Sequence, residues 1–112
     1  MPRYLFLQRS APEPAAPPSP AQMQQITAAV RAWIDMYKGR IVDMGAPLSS
    51  VGAVVSAAGT ADGPFGGPGV VGGYMIVETD TLAEALEVAR ESPPVLMGSQ
   101  VEVREIKDEP GA

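Results

Sequence analysis

Proline and glycine punctuate this chain heavily, 12 of each in 112 residues, and they confine regular structure to the stretches between them. Five prolines, Pro12, Pro14, Pro17, Pro18 and Pro20, fall between Ser10 and Pro20. Such a run favours extended, polyproline-like backbone and lacks the N–H donors of a β-ladder. Residues 10–20 are therefore expected as a surface loop. Five glycines and two prolines stand between Gly59 and Gly69, which marks a turn region.

What lies between these breaks has clear periodicity. Tyr4 to Gln8 is a short aromatic and aliphatic run without alternation, the mark of a strand buried on both faces. Ser19-Pro20 opens a helix, with Ser19 as the cap and Pro20 at the first helical position, where a missing N–H costs nothing. Met23, Ile26, Val30, Trp33, Ile34 and Tyr37 continue it as one apolar stripe, and Gly39 ends it. Arg40 to Met44 reads as a short extended segment broken at Gly45 and Pro47, and Val51 to Ala58 as a weakly alternating strand. Val70 to Thr79 carries the strongest strand signal, with Gly72-Gly73 ahead of its centre, where a bulge or a close backbone approach is expected. Thr81 and Glu84 form a capping box for a second helix with Leu82, Ala85, Leu86 and Ala89 inward, ended by Pro93 and Pro94. Val101 to Ile106 alternates as a last strand. The order is βαββαβ, the split βαβ pattern of ferredoxin-like α+β folds, which gives an antiparallel sheet with two helices on one face. One domain, residues 1–107, is expected, followed by a flexible tail at 108–112.

Composition removes whole classes of chemistry. There is no cysteine and no histidine, which excludes disulfides, thiolate nucleophiles, imidazole bases and ordinary zinc sites. The carboxylates show no calcium-loop spacing, so neither a metal nor a cofactor is expected. Thirteen acidic against eight basic residues give a net charge of −5, and the basic ones are scattered, so nucleic acid and anionic membrane surfaces are poor partners. The opening residues offer only a short apolar run between Arg3 and Arg9, too short for a signal-peptide core. A soluble cytoplasmic protein is the expectation.

The segments Thr60-Ala61-Asp62-Gly63-Pro64-Phe65, Val71-Gly72-Gly73-Tyr74-Met75-Ile76-Val77-Glu78, Leu82-Ala83-Glu84-Ala85-Leu86 and Val101-Glu102-Val103-Arg104 together resemble the YCII-related family in its DGPF-containing branch. The opening Tyr4-Leu5-Phe6-Leu7 and Gly45-Ala46-Pro47-Leu48 fit the same pattern. The resemblance implies a dimeric α+β barrel in which two sheets face each other across a two-fold axis. That agrees with the sequence pattern, because a sheet covered by helices on one face leaves the other to be buried by a partner. A homodimer through the open sheet face is therefore expected. Better-studied relatives carry a His and Asp pair; this chain has no histidine, so that dyad does not carry over. The glycine-rich run 66–73 lacks the Gly-Lys-Ser/Thr ending of a phosphate loop and precedes a strand, so it is not read as one.

Asp62 is the strongest candidate for acid–base chemistry. It opens the Asp-Gly-Pro-Phe segment, and the ring of Phe65 beside it would desolvate a carboxyl. The plain alternative is a turn aspartate bonded to its own backbone. Glu102 and Arg104 share one face of the last strand and point toward the open side of the sheet, either as an ion pair or as a clamp for an anionic or carbonyl ligand. Trp33, Met44 and Tyr74 are candidate pocket walls together with Phe65, although a Trp and Met stripe at helical spacing reads first as core. Three functions follow. One is a dimeric module that binds a small apolar or aromatic metabolite in a cavity at the sheet or dimer interior. Another is an enzyme using Asp62, with Arg104 as electrostatic stabiliser, for isomerisation, elimination or dehalogenation of a small ring compound. The last is an accessory interaction protein using the proline-rich loop.

Overall fold

Four strands pair antiparallel in the order β2-β5-β1-β6, with the two longest-range pairings made by the first strand. A computed structural model of the chain describes residues 1–9, 17–65 and 69–107. Strand β1 (Arg3–Arg9) lies between β5 (Val71–Glu78) and β6 (Gln100–Glu105), and β2 (Ile41–Pro47) forms the edge beyond β5. This is the ferredoxin-like arrangement, an α+β layer pair. Helices α1 (Pro20–Tyr37) and α2 (Leu82–Arg90) and the short α3 (Pro93–Leu96) lie over one face.

Register decides which side chains meet those helices. Tyr4 stands opposite Val77, and Phe6 opposite Met75 and Val103. Tyr4, Phe6 and Val77 are buried together with Trp33 of α1 and Ala85, Val88 and Ala89 of α2. Leu5 and Leu7, on the other parity, pair with Ile76 and Tyr74 and are only half-buried. So β1, which its sequence suggests is buried on both faces, has one face inside and one on the open side of the sheet. The alternation is invisible in the sequence because both faces of β1 are apolar.

The ends of α1 follow the sequence. Ser19 Oγ accepts from the Gln22 N–H at 3.2 Å, and Gln22 Oε1 accepts from the Ser19 N–H at 2.8 Å, closing a capping box. At α2 only half of the expected box forms. Thr81 Oγ1 accepts from the Glu84 N–H at 3.2 Å, but the Glu84 carboxylate turns to Arg40 Nη1 at 2.7 Å, because an ion pair across elements competes for the same oxygens. Ala85, Val88 and Ala89 form the inner face of α2, leaving Leu82 and Leu86 exposed. Small residues on that face let the helix lie close to β1.

Pro93 and Pro94 begin a helix instead of merely ending one. Helix α2 stops at Arg90, and both prolines occupy the first turn of α3, where their missing N–H groups would be unpaired in any case. Two further corrections bear on function. Strand β2 continues past Gly45 to Pro47 because Gly45 adopts φ +65° and absorbs the irregular register against β5. The expected turn after Gly59 is a strand: β3 (Gly52–Ser56) and β4 (Gly59–Gly63) form an antiparallel hairpin with Val54 opposite Ala61 and Val55 opposite Thr60. Its turn is Ala57-Ala58, and Gly59 at φ +130° takes up the reversal. The expected loop 10–20 falls mostly on residues 10–16, which lie outside the described residues, as do 66–68 and the tail 108–112.

Candidate functional site

A pocket of about 460 Å³ opens between α1, α3 and the helix-covered face of the sheet, within the size range of small-molecule sites. Its floor is Phe6 and Gln8 of β1 with Gly73 and Met75 of β5 and Val101 of β6. Val30, Trp33 and Ile34 of α1 form one wall, Ser92, Pro93, Pro94 and Met97 another, and Met44 to Pro47 of β2 the lip. This is the opposite side of the sheet from the interior that two facing sheets would enclose.

Local sequence explains the space. Gly73 is buried, and a Cβ there would meet Gln8 Oε1 at 3.2 Å and the Ala46 carbonyl oxygen at 3.5 Å. The β1–β5 register slips between Gln8 and Arg9, which puts the bulge at Gly72, where the glycine pair suggests one. At the lip, a Cβ on Gly45 would lie 1.7 Å from the Tyr74 carbonyl oxygen, so only glycine lets β2 approach β5 here. Trp33 fixes the rear wall: its Nε1–H donates to the Val88 carbonyl at 3.0 Å, and its ring lies 5.9 Å from that of Tyr37, tilted by 60°. Below it, the Tyr37 hydroxyl donates to the Glu91 carboxylate, and that bond, with some burial, raises the Tyr37 pKa above its ordinary value.

The sequence candidates divide among three places. Trp33 and Met44 line the pocket, and Tyr74 borders it while strand parity puts its side chain on the open face opposite Leu7. Glu102 and Arg104 lie on the open face, as Val101 and Val103 pack inward against the core. They do meet, Arg104 Nη1 to Glu102 Oε2 at 3.4 Å, but the tighter partner is Arg9, whose Nε reaches Glu102 Oε1 at 2.7 Å and whose Nη1 donates to the Gly69 carbonyl at 2.6 Å. Hydrogen bonding by Arg9 holds the Glu102 carboxyl below the usual carboxylate range. Arg9 stands diagonal to Glu102 across the β1–β6 pair, a contact readable from register once the strands are known. Asp62 sits in β4 opposite Ala53, exposed on the projecting hairpin, with Phe65 78% exposed beyond it. The structure does not bring either to the pocket. Among the described residues no three carboxylates gather as a metal site would require, and no helix is long and apolar enough to cross a membrane.

The pattern that organises this geometry has a match: the YCII-related domain covers residues 3–109. The chain belongs to the YCII-related domain family. A search of curated proteins gives no significant match. Among solved structures the YCII-related fold seen here is similar to 5-chloro-2-hydroxyhydroquinone dehydrochlorinase from Burkholderia phenoliruptrix AC1100, in its complex with 2,5-dihydroxybenzoquinone. The TM-score is 0.55 at 17% identity, over 96% of this chain and 95% of that one, a likeness of fold.

Several lining residues of this YCII-related pocket escape sequence reading, Gln8, Pro93 and Met97 among them. For Gln8 a signal exists: it follows Tyr4 and Phe6 at a spacing of two, so it is the polar residue on an otherwise apolar inward face. For α3 none does, because a double proline reads first as a stop.

Proposed function

We propose that this YCII-related domain is a homodimeric binding module that holds a small apolar or aromatic molecule in the pocket between α1, α3 and the sheet. The observation that carries the reading is the character of the lining: Phe6, Trp33, Met44, Met75, Val101 and Met97 surround about 460 Å³, and no charged side chain lines it among the described residues. Such a surface gains from excluding water around a hydrocarbon ring. Dimerisation is supported by the open face, where Leu5, Leu7, Ile76 and Tyr74 form an apolar centre, bordered by the Arg3–Glu78 and Arg9–Glu102 pairs. An apolar centre with a polar rim is the usual anatomy of a protein interface. Native mass spectrometry of freshly purified protein, with titration of single-ring hydrocarbons followed by Trp33 emission, tests the pocket. A co-purifying small molecule or saturable binding is expected; an empty protein that no ring compound perturbs overturns the reading.

A second reading, acid–base chemistry on a small ring compound, is favoured by the likeness to a dehydrochlorinase. It relies on Asp62, with Arg104 as electrostatic stabiliser. The exposure of Asp62 on the hairpin weighs against it, since a side chain there encloses no substrate. If this reading holds, Asp62→Asn abolishes turnover while melting temperature and assembly stay at wild-type values. The accessory-protein reading has only the proline-rich segment behind it. A cytoplasmic setting fits the absence of cysteine and remains part of the proposal.

A further inference from the structure

We infer that the pocket selects neutral ring compounds carrying a hydroxyl or carbonyl on one edge, and that the carboxamide of Gln8 is the group that reads it. The inference rests on the binding reading above and names its ligand class. Position 8 of β1 shares the inward face with Tyr4 and Phe6, which are 3% and 4% exposed, so a polar side chain here faces the pocket floor. Backbone pairing on both sides, to Gly73 and to Val101, fixes its Cα within the centre of the sheet. The amide itself makes no hydrogen bond to the described residues and is not fully buried, and Gln8 is one of the residues that line the pocket. The absent side chain at Gly73, whose Cβ would crowd Gln8 Oε1 at 3.2 Å, leaves that amide room to turn.

The neighbouring donors are already committed. Ser92 Oγ–H donates to the Ala89 carbonyl at 2.6 Å and Trp33 Nε1–H to the Val88 carbonyl at 3.0 Å. Among the described residues, Gln8 therefore offers both an unpaired N–H pair and an unpaired carbonyl in a hydrocarbon surround. A carboxamide accepts from a hydroxyl or donates to a carbonyl equally well. A pure hydrocarbon would strip water from this amide and return nothing. An ionised carboxylate would enter without a cationic partner and bear the cost of desolvation. Both ends of the polarity range are disfavoured, and a neutral ring with one polar edge is what remains.

The test is titration of the full chain at neutral pH with 4-ethylphenol, ethylbenzene and 4-ethylbenzoate, followed by calorimetry and by emission of Trp33, the one tryptophan in the sequence. Wild type is expected to bind 4-ethylphenol about three- to tenfold more tightly than ethylbenzene, and 4-ethylbenzoate most weakly. Gln8→Leu, or Gln8→Met if the leucine variant does not melt cooperatively, should bring 4-ethylphenol and ethylbenzene to parity while keeping ethylbenzene binding. Tyr74→Phe, which removes a hydroxyl carried on the open face of the sheet opposite Leu7, should leave the preference intact. Parity in wild type, a preference that survives in the Gln8 variants, or one lost in Tyr74→Phe overturns the role of Gln8 but not the binding reading. Failure of all the compounds to bind overturns both.

Discussion

Trp33 shows how one side chain can serve stability and the pocket together. In a helix that continued, the Val88 carbonyl would accept from the N–H of Ser92, but that N–H goes to Ala89 at 3.0 Å, leaving Val88 as an orphan acceptor at the end of α2. The indole N–H of Trp33 fills it at 3.0 Å, while the ring walls the pocket. Trp33→Phe keeps an aromatic ring and removes the donor, so it should destabilise the fold by about 1–3 kcal/mol, the cost of a buried polar group left unmet. Urea denaturation followed by circular dichroism measures this; an unchanged midpoint would mean that water satisfies Val88. Glu102 gives a second residue-level expectation. Arg9 lowers its pKa in the folded state, so its contribution is fully present above the unfolded carboxylate value of about 4.3 and is lost as pH falls through the lower folded value. Because the pair is about a third exposed, the effect is small. Arg9→Leu should flatten the acid limb of a stability–pH curve, lowering stability slightly near neutrality and leaving it unchanged at the acid end, where Glu102 is protonated in both proteins.

At the scale of elements, the strongest contrast is between β1 and the β3–β4 hairpin. Strand β1 is paired on both edges and packed under α2, whereas the hairpin pairs only with itself and exposes Val55 at 76%, with Val51 just before it at 89%. A two-stranded hairpin alone is marginal in water. Amides of residues 52–63 should exchange with deuterium well before those of β1 and β5, as local opening does not require the sheet to separate; equal protection would show that another surface covers the hairpin. The same contrast explains what was legible in the sequence. Helix α1 could be read because its cap, proline and stripe agree, and β6 because Val101 and Val103 alternate with charge. The first strand of the hairpin is legible within Val51 to Ala58, but β4 is hidden because Gly59 and Gly63 mimic a loop, and α3 because Pro93 and Pro94 mimic a stop. In the site, Trp33 and Met44 are legible as apolar walls, whereas Tyr74 borders the pocket with its side chain on the open face. Phe65 as a wall and Asp62 as an acid–base group both presume a turn at Asp-Gly-Pro-Phe, but Asp62 lies on the exposed strand β4 and Phe65 is exposed beyond its end. Gly45 likewise reads as a break, which hides the full extent of β2. Its φ of +65° prolongs β2 to the pocket lip, so Gly45→Ala should cost more than about 1 kcal/mol and weaken ring binding with it.

For the whole molecule, the proposed dimer sets two forces against each other. Each copy carries a net charge of −5, so approach is repulsive at long range, while the faces that would meet present Leu5, Leu7, Ile76 and Tyr74. A two-fold interface is self-complementary, so Leu7 of each copy would lie on the buried patch of both. If burial of that patch drives association, screening the repulsion should strengthen it. Raising salt from about 0.01 M to about 0.1 M shortens the Debye length from about 30 Å to about 10 Å, and the dimer dissociation constant should fall. An interface held mainly by pairs such as Arg3–Glu78 would respond the opposite way. Leu7→Lys places a charge in the apolar centre and should give a monomer by analytical ultracentrifugation at every salt concentration. The pocket lies on the other side of β1, so Trp33 emission and ring binding should survive in that monomer. A Leu7→Lys protein that remains dimeric would move the interface off the sheet.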